Sequence, residues 1–181
     1  MGREGKNTTH DLDKLVIHSD ASFAQEELYC SQSSFVVMLN GAPVHWSSVR
    51  QPFPALSSSE SEIMAGCHAL RTALHMHALL EDLGKPQGTI DFCFDAENAL
   101  RFNRKDKISK RNMHIGVRYW RVRYHVGKQI RLVYVKSTIM MTADIGTKSA
   151  KVDQFNGNVK LIMHNFTDDV NVLDVSEHQG I

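Results

Sequence analysis

The order of strand and helix signals along the 181 residues predicts an α/β fold, a mixed sheet with helices packed on it. Three observations carry that prediction. Three strand-like runs of antiparallel type come first, two of them joined by Asn40-Gly41; one long helix follows; strands and helices then alternate. A composition of 42% hydrophobic and 23% charged residues suits one globular domain. At this length roughly 70% of the unfolded surface can be buried, so the core needs neither disulfides nor a structural metal.

Residues 1–14 are polar and without periodicity, as in a tail or linker, and structure is expected from Leu15. Leu15-Val16-Ile17-His18 is a short apolar strand whose edge is marked by Ser19-Asp20-Ala21-Ser22. Phe35 to Leu39 and Ala42 to Trp46 form a hairpin, because Asn40-Gly41 supplies the two positive-φ residues of a type I′ turn. Ser57, Ser58 and Ser59 open a helix that reaches Leu83, where Gly84 closes it and Pro86 bars its continuation. One face of that helix carries Ile63, Cys67, Leu70, Leu74 and Ala78. Beside it runs a stripe of small residues, Gly66, Ala69 and Ala73, headed by Glu62, which would let the helix approach a sheet closely. Thr89 to Phe94 is a strand, Ala96 to Phe102 a short helix, Met113 to Val126 a helix and Gln129 to Val135 the last strand. A helix from Thr142 to Ala150, resuming at Val152 to Met163, completes the core, and an acidic tail follows at residues 164–181. The domain is thus expected at residues 15–163.

The three cysteines, Cys30, Cys67 and Cys93, are too widely spaced for a zinc knuckle or a CxxC pair and read as buried or idle thiols in a reducing compartment. No apolar run approaches the roughly 18 residues of a membrane span, and the start lacks the apolar core of a secretion signal. An intracellular chain without membrane contact is expected. There is no internal repeat, GxGxxG or Walker A sequence.

Charge is distributed unevenly. Between Arg101 and Arg131 eleven Lys and Arg stand against one acid, Asp106, whereas residues 1–100 hold 6 basic and 13 acidic residues. Such a run predicts a polyanionic partner, with a merely solvated helix face as the alternative. Arg111, His114, Arg118, Arg121 and Lys128 are the candidate nucleic-acid contacts.

Four carboxylates occupy positions where α/β sheets place reactive groups: Asp20 and Asp95 at strand ends, Glu62 and Asp144 at helix starts. Convergence of all four would destabilise the fold by mutual repulsion unless a divalent cation compensated it. Hard oxygen ligands suit Mg²⁺, and with a polyanion nearby they point to phosphodiester chemistry by two metals about 3.5 to 4 Å apart. Spacing alone does not establish that convergence.

Motifs sharpen the reading. Ser19-Asp20-Ala21-Ser22, the segment from Phe35 to Gln51, Ala55 to Glu62, Leu80 to Gly84, Asp95, Met113-His114-Ile115 with Arg118-Tyr119, and Ala143 to Lys148 closely resemble, in this order, the ribonuclease H domain of copia-type retrotransposon polyproteins. The resemblance covers roughly Val16 to Met163. It implies a ribonuclease H-like fold, a five-stranded mixed sheet flanked by helices, and cleavage of the RNA strand of an RNA/DNA hybrid. It also implies two Mg²⁺ ions, with Mn²⁺ as a substitute, held by Asp20, Glu62, Asp95 and Asp144. Such domains follow a reverse transcriptase, so a reverse transcriptase or a larger assembly is an implied partner.

Several positions depart from the family pattern. Asp-Asn after the fourth strand is Asp95-Ala96, a His of the basic helix is Trp120, and Asp-Ile-Leu-Thr-Lys is Asp144-Ile145-Gly146-Thr147-Lys148, where a mid-helix Gly costs about 1 kcal/mol. The stretch Lys/Arg-Ser-Thr-Ser-Gly before the second strand has become Tyr29 to Ser34. A domesticated copy acting as a nucleic-acid-binding or scaffold subunit is therefore the alternative to an enzyme, and a ribonuclease H-like DNA nuclease or integrase a third reading. Glu60 competes with Glu62 for the catalytic role: both Ser57-x-x-Glu60 and Ser59-x-x-Glu62 fit a capping box, and the small-residue face and family register favour Glu62. His75 and His77 face different ways on a helix and are not expected to pair on a metal. Trp46, Tyr119 and Trp120 are expected in the core or on a groove wall.

Overall fold

The computed structural model describes residues 14–24, 29–94, 113–135, 142–147, 152–163 and 173–174. Its elements are β1 (Leu15–Ser22), β2 (Gln32–Leu39), β3 (Ala42–Arg50), α1 (Ser58–Asp82), β4 (Ile90–Phe94), α2 (Met113–His125), β5 (Ile130–Tyr134), a 3₁₀ turn (Thr142–Gly146), α3 (Val152–Met163) and β6 (Leu173–Asp174). The sheet order is β3-β2-β1-β4-β5-β6. β1 runs antiparallel to β2 and parallel to β4, β5 runs parallel to β4, and β3 and β6 are antiparallel to their neighbours. All five predicted strands are present, and the two residues of β6 extend the edge beside β5.

The hairpin forms as its turn residues dictate, with φ of 54° at Asn40 and 76° at Gly41. Both strands run longer than their apolar stretches. β1 continues through Ser22 because its small polar residues keep pairing, Asp20 with Ser34 and Ser22 with Gln32. A register shift between Val37 and Met38 bulges the β2–β3 pair.

α1 is capped at both ends. Ser57 accepts a hydrogen bond from the Glu60 amide at its start. At its end Gly84, with φ of 73°, donates to Glu81 C=O while Lys85 N–H reaches Leu80 C=O, a Schellman closure. The stripe of small residues faces the sheet: Gly66, Ala69 and Ala73 are buried, Leu70 beside them, and His77 extends the line. Ala78, expected on the apolar stripe, is exposed, because the close approach permitted by the small side chains rotates the buried face toward them. His75 is exposed and His77 buried, so the two do diverge.

The core lies between the sheet and α1 with α2. Leu15 and Ile17, Phe35 and Val37, Ile90, Phe92 and Phe94, Ile130 and Leu132 point into it from alternate positions of four strands, against Ile63, Leu70, Tyr119 and Val122. Cys93, Val133 and Val135 form a smaller cluster on the opposite face, packed by Val16. Cys30 and Cys93 are buried, Cys67 partly so, and all three are free thiols. Among the described residues no helix is long and apolar enough to cross a membrane.

Two expectations meet the structure differently. The predicted Ala96–Phe102 helix lies outside the described residues. Over Thr142–Gly146 the chain forms a 3₁₀ turn instead of the first part of an α-helix, because Gly146 is drawn against the sheet.

Candidate active site

Asp20, Ser34 and Ser48 stand in one row across β1, β2 and β3. Directly opposed residues share a face of the sheet, so the row is a strip of small oxygen-bearing side chains. The 3₁₀ turn lies along it. Thr147 donates its hydroxyl proton to Asp20 Oδ2 at 2.5 Å, across a sequence separation of 127 residues. Ser48 donates to the Gly146 carbonyl at 2.5 Å while accepting from Gln32 Nε2 at 2.8 Å. A Cβ built on Gly146 would stand 2.9 Å from Ser34 Cβ and 3.2 Å from Ser48 Cβ. Space, not a left-handed φ, therefore demands glycine there. Ser34 and Gly146, which belong to separate motifs of the sequence, are thus neighbours.

Asp20 and Asp144 are both buried, at 5% and 6% exposure. Thr147 binds the Asp20 carboxylate, and its amide closes the turn by donating to the main-chain carbonyl of Asp144 at 3.1 Å. His18, on the same side of β1, is fully buried, and burial lowers its pKa to about 4. It stays neutral near pH 7 and adds no positive charge beside the carboxylate.

At the start of α1 the two glutamates occupy different environments. Glu60 is buried and accepts from the Leu56 amide at 2.8 Å, reaching back past Ser57 as a capping residue. Glu62 is half-buried. A buried amide anchors this turn to the sheet: Gln51 Nε2 donates to Ser33 Oγ at 2.8 Å and to the Ser61 carbonyl at 2.9 Å. Among the described residues no three His, Cys, Asp or Glu side chains stand close enough to hold one metal ion; Asp20 is tied to Thr147, three residues beyond Asp144. Asp95 lies outside the described residues. Buried carboxylate oxygens at Asp20 and Asp144 are the donor type that hard divalent cations take.

The basic segment presents a second surface. Arg111 lies outside the described residues, and His114 falls in the first turn of α2. Arg121 and Lys128 are exposed and Arg118 half-buried. Three cations of this surface lie over aromatic rings: Arg118 at 5.4 Å from the Phe53 centroid, Arg123 at 5.2 Å from Trp120 and Lys128 at 3.6 Å from Tyr124. Tyr119 is in the core as expected, whereas Trp46 and Trp120 are 69% and 49% exposed. Sequence reasoning missed Thr147 and these aromatic partners. Thr147 belongs to the Ala143–Lys148 motif, but nothing local in the sequence connects it to Asp20.

The architecture is that of ribonuclease H. The LC11-RNase H1 isolated from compost superposes with a TM-score of 0.58 at 15% identity, covering 75% of this chain and 93% of that one. The N-terminal RNase H domain of Rv2228c from Mycobacterium tuberculosis gives 0.52 at 13%, covering 82% and 97%. In sequence the chain is similar to Ty1 transposon polyproteins. The Ty1-LR3 Gag-Pol polyprotein of Saccharomyces cerevisiae is 27% identical over 148 residues, 81% of this chain, and the Ty1-JR2 polyprotein 27% over 146 residues, 78% of it. The chain spans 8% of the length of these polyproteins. No protein-family profile matches it.

Proposed function

We propose that residues 15–163 form a metal-dependent endoribonuclease that cuts the RNA strand of RNA/DNA hybrids, in the manner of a retrotransposon ribonuclease H. The observation that carries this reading is the hydrogen bond that ties the Asp20 carboxylate to Thr147, three residues beyond the buried Asp144, on a ribonuclease H fold. Asp20, Glu62, Asp95 and Asp144 would hold two Mg²⁺ or Mn²⁺ ions. When bound, such ions activate the attacking water and stabilise the departing 3′ oxygen. The chain's own contribution is to fix the carboxylates in place. Asp20 and Asp144 are buried, and Thr147 binds one carboxylate oxygen of Asp20.

Hybrid binding is assigned to Arg111, His114, Arg118, Arg121 and Lys128. Arg and Lys neutralise phosphates, and the exposed Trp120 and Tyr124 beside them offer apolar surface to a sugar-base edge. A reverse transcriptase, or the rest of a polyprotein, would be the physical neighbour of this domain. The test is incubation with labelled RNA/DNA hybrid, duplex RNA and duplex DNA, with and without Mg²⁺. Selective, Mg²⁺-dependent cutting of the hybrid's RNA strand supports the proposal. Hybrid binding without cutting under Mg²⁺ or Mn²⁺ would overturn it and favour a scaffold.

A further inference from the structure

We infer that Thr147 is a positioning residue for Asp20, and that the turn across the Asp20–Ser34–Ser48 row is the strap that holds it in place. This deepens the proposed function and rests on it for the role of Asp20 as a metal ligand.

A strand fixes the backbone of Asp20, but its terminal sp³–sp² torsion is broad and lets the plane of the carboxylate turn at little cost. A metal ligand needs one oxygen aimed. Thr147 supplies such a constraint, since its hydroxyl binds Asp20 Oδ2 and holds the plane of the carboxylate. The single hydroxyl proton is committed there. The Asp144 carbonyl lies farther from Thr147 Oγ1, at 3.3 Å, and already receives the Thr147 amide at 3.1 Å.

A donor positions only as well as it is itself held. Thr147 is buried and sits next to Gly146, whose carbonyl takes the Ser48 hydroxyl. Gln32 fixes Ser48 in turn. Gly146 cannot shift toward the sheet, because Ser34 and Ser48 already fill the space a Cβ would need. The strap is therefore pinned on three strands, from Gln32 and Ser48 through Gly146 to Thr147 and Asp20. Partners that orient a ligand without touching the metal typically set about 10- to 100-fold of affinity.

The experiment is a Mn²⁺ titration of the intact chain followed by electron paramagnetic resonance, alongside hybrid cleavage as a function of Mg²⁺. Thr147→Val, nearly equal in shape, should weaken Mn²⁺ binding by about 10- to 100-fold and raise the Mg²⁺ requirement for cleavage by a like factor. Thr147→Ser should restore both. Ser48→Ala, at an exposed position, should weaken binding a few fold and serves if the valine variant does not fold. Mn²⁺ binding by Thr147→Val, or by Ser48→Ala in its place, equal to that of the parent would overturn the inference. Cleavage by the parent with that result leaves the ribonuclease reading standing. Weakened binding in Thr147→Val with no cleavage by the parent sinks the ribonuclease reading and keeps the strap. A parent that binds no Mn²⁺ overturns both.

Discussion

The carboxylate row and the outer face of α2 are built on opposite plans. Around Asp20 the side chains are small, buried and hydrogen-bonded across 127 residues of sequence. On and just after α2 they are long and reach solvent, two of them over rings about one turn away, Lys128 over Tyr124 and Arg123 over Trp120, and a third, Arg118, over Phe53. The contrast follows from what each surface must do. Aiming an oxygen at a cation tolerates errors of a fraction of an ångström, so it calls for a framework that cannot relax. Phosphate attraction decays over a Debye length of about 8 to 10 Å, so cations on flexible stems suffice.

The largest effects should come from the row. Asp20→Asn should reduce Mg²⁺-dependent cleavage to background while the thermal midpoint holds or rises, because removing a buried charge relieves repulsion with Asp144. Cleavage assays and calorimetry on one preparation check it. A variant that retains cleavage would remove Asp20 from the ligand set.

The two glutamates of α1 sharpen the comparison within a single helical turn. Glu62→Gln should abolish cleavage with little change in stability. Glu60→Gln should keep cleavage and cost roughly 1 kcal/mol, since its carboxylate caps the Leu56 amide. The reverse pattern in urea melts and cleavage rates would shift the catalytic register by two residues.

The seat of Gly146 comes next. Gly146→Ala forces a methyl into a filled space and should cost about 1 to 3 kcal/mol. Ser34→Gly removes the nearer obstacle, so the double variant should recover part of that cost, with a coupling of at least about 0.5 kcal/mol in a double-mutant cycle. Strict additivity would show that the departures at 34 and 146 are independent.

What was legible in the sequence divides along the same line. The hairpin turn at Asn40-Gly41, the cap at Ser57 and the closure at Gly84 are decided by residues within a few positions of one another, and they appear where expected. The charge of the basic segment is equally local. Gly146 was not legible in this way. Judged against a helix it is a cost of about 1 kcal/mol; judged against Ser34 and Ser48 it is the residue that fits. Thr147 shares that difficulty, because its partner Asp20 lies on a strand formed at the other end of the domain. Trp46 and Trp120, expected in the core or on a groove wall, are exposed, since β3 is an edge strand and Trp120 lies on the outward side of α2.

The smallest effect on the folded state, and the cleanest separation of the two surfaces, should come from replacing Arg118, Arg121 and Lys128 together by Gln. If these cations track phosphates, log affinity for a hybrid falls linearly with log salt, and the slope should flatten by roughly one unit for each phosphate no longer neutralised. Stability should change little, since Arg121 and Lys128 are exposed and exposed cation–π pairs such as Lys128 with Tyr124 contribute about 0.5 to 1 kcal/mol. Preference for the hybrid should survive, because discrimination between RNA and DNA strands depends on 2′-hydroxyl contacts and groove shape. Filter binding across a series of salt concentrations, with hybrid and duplex DNA, measures slope and preference together. A slope unchanged from the parent would mean that these three side chains face solvent alone, and hybrid binding would then have to be assigned to other cations of the basic segment.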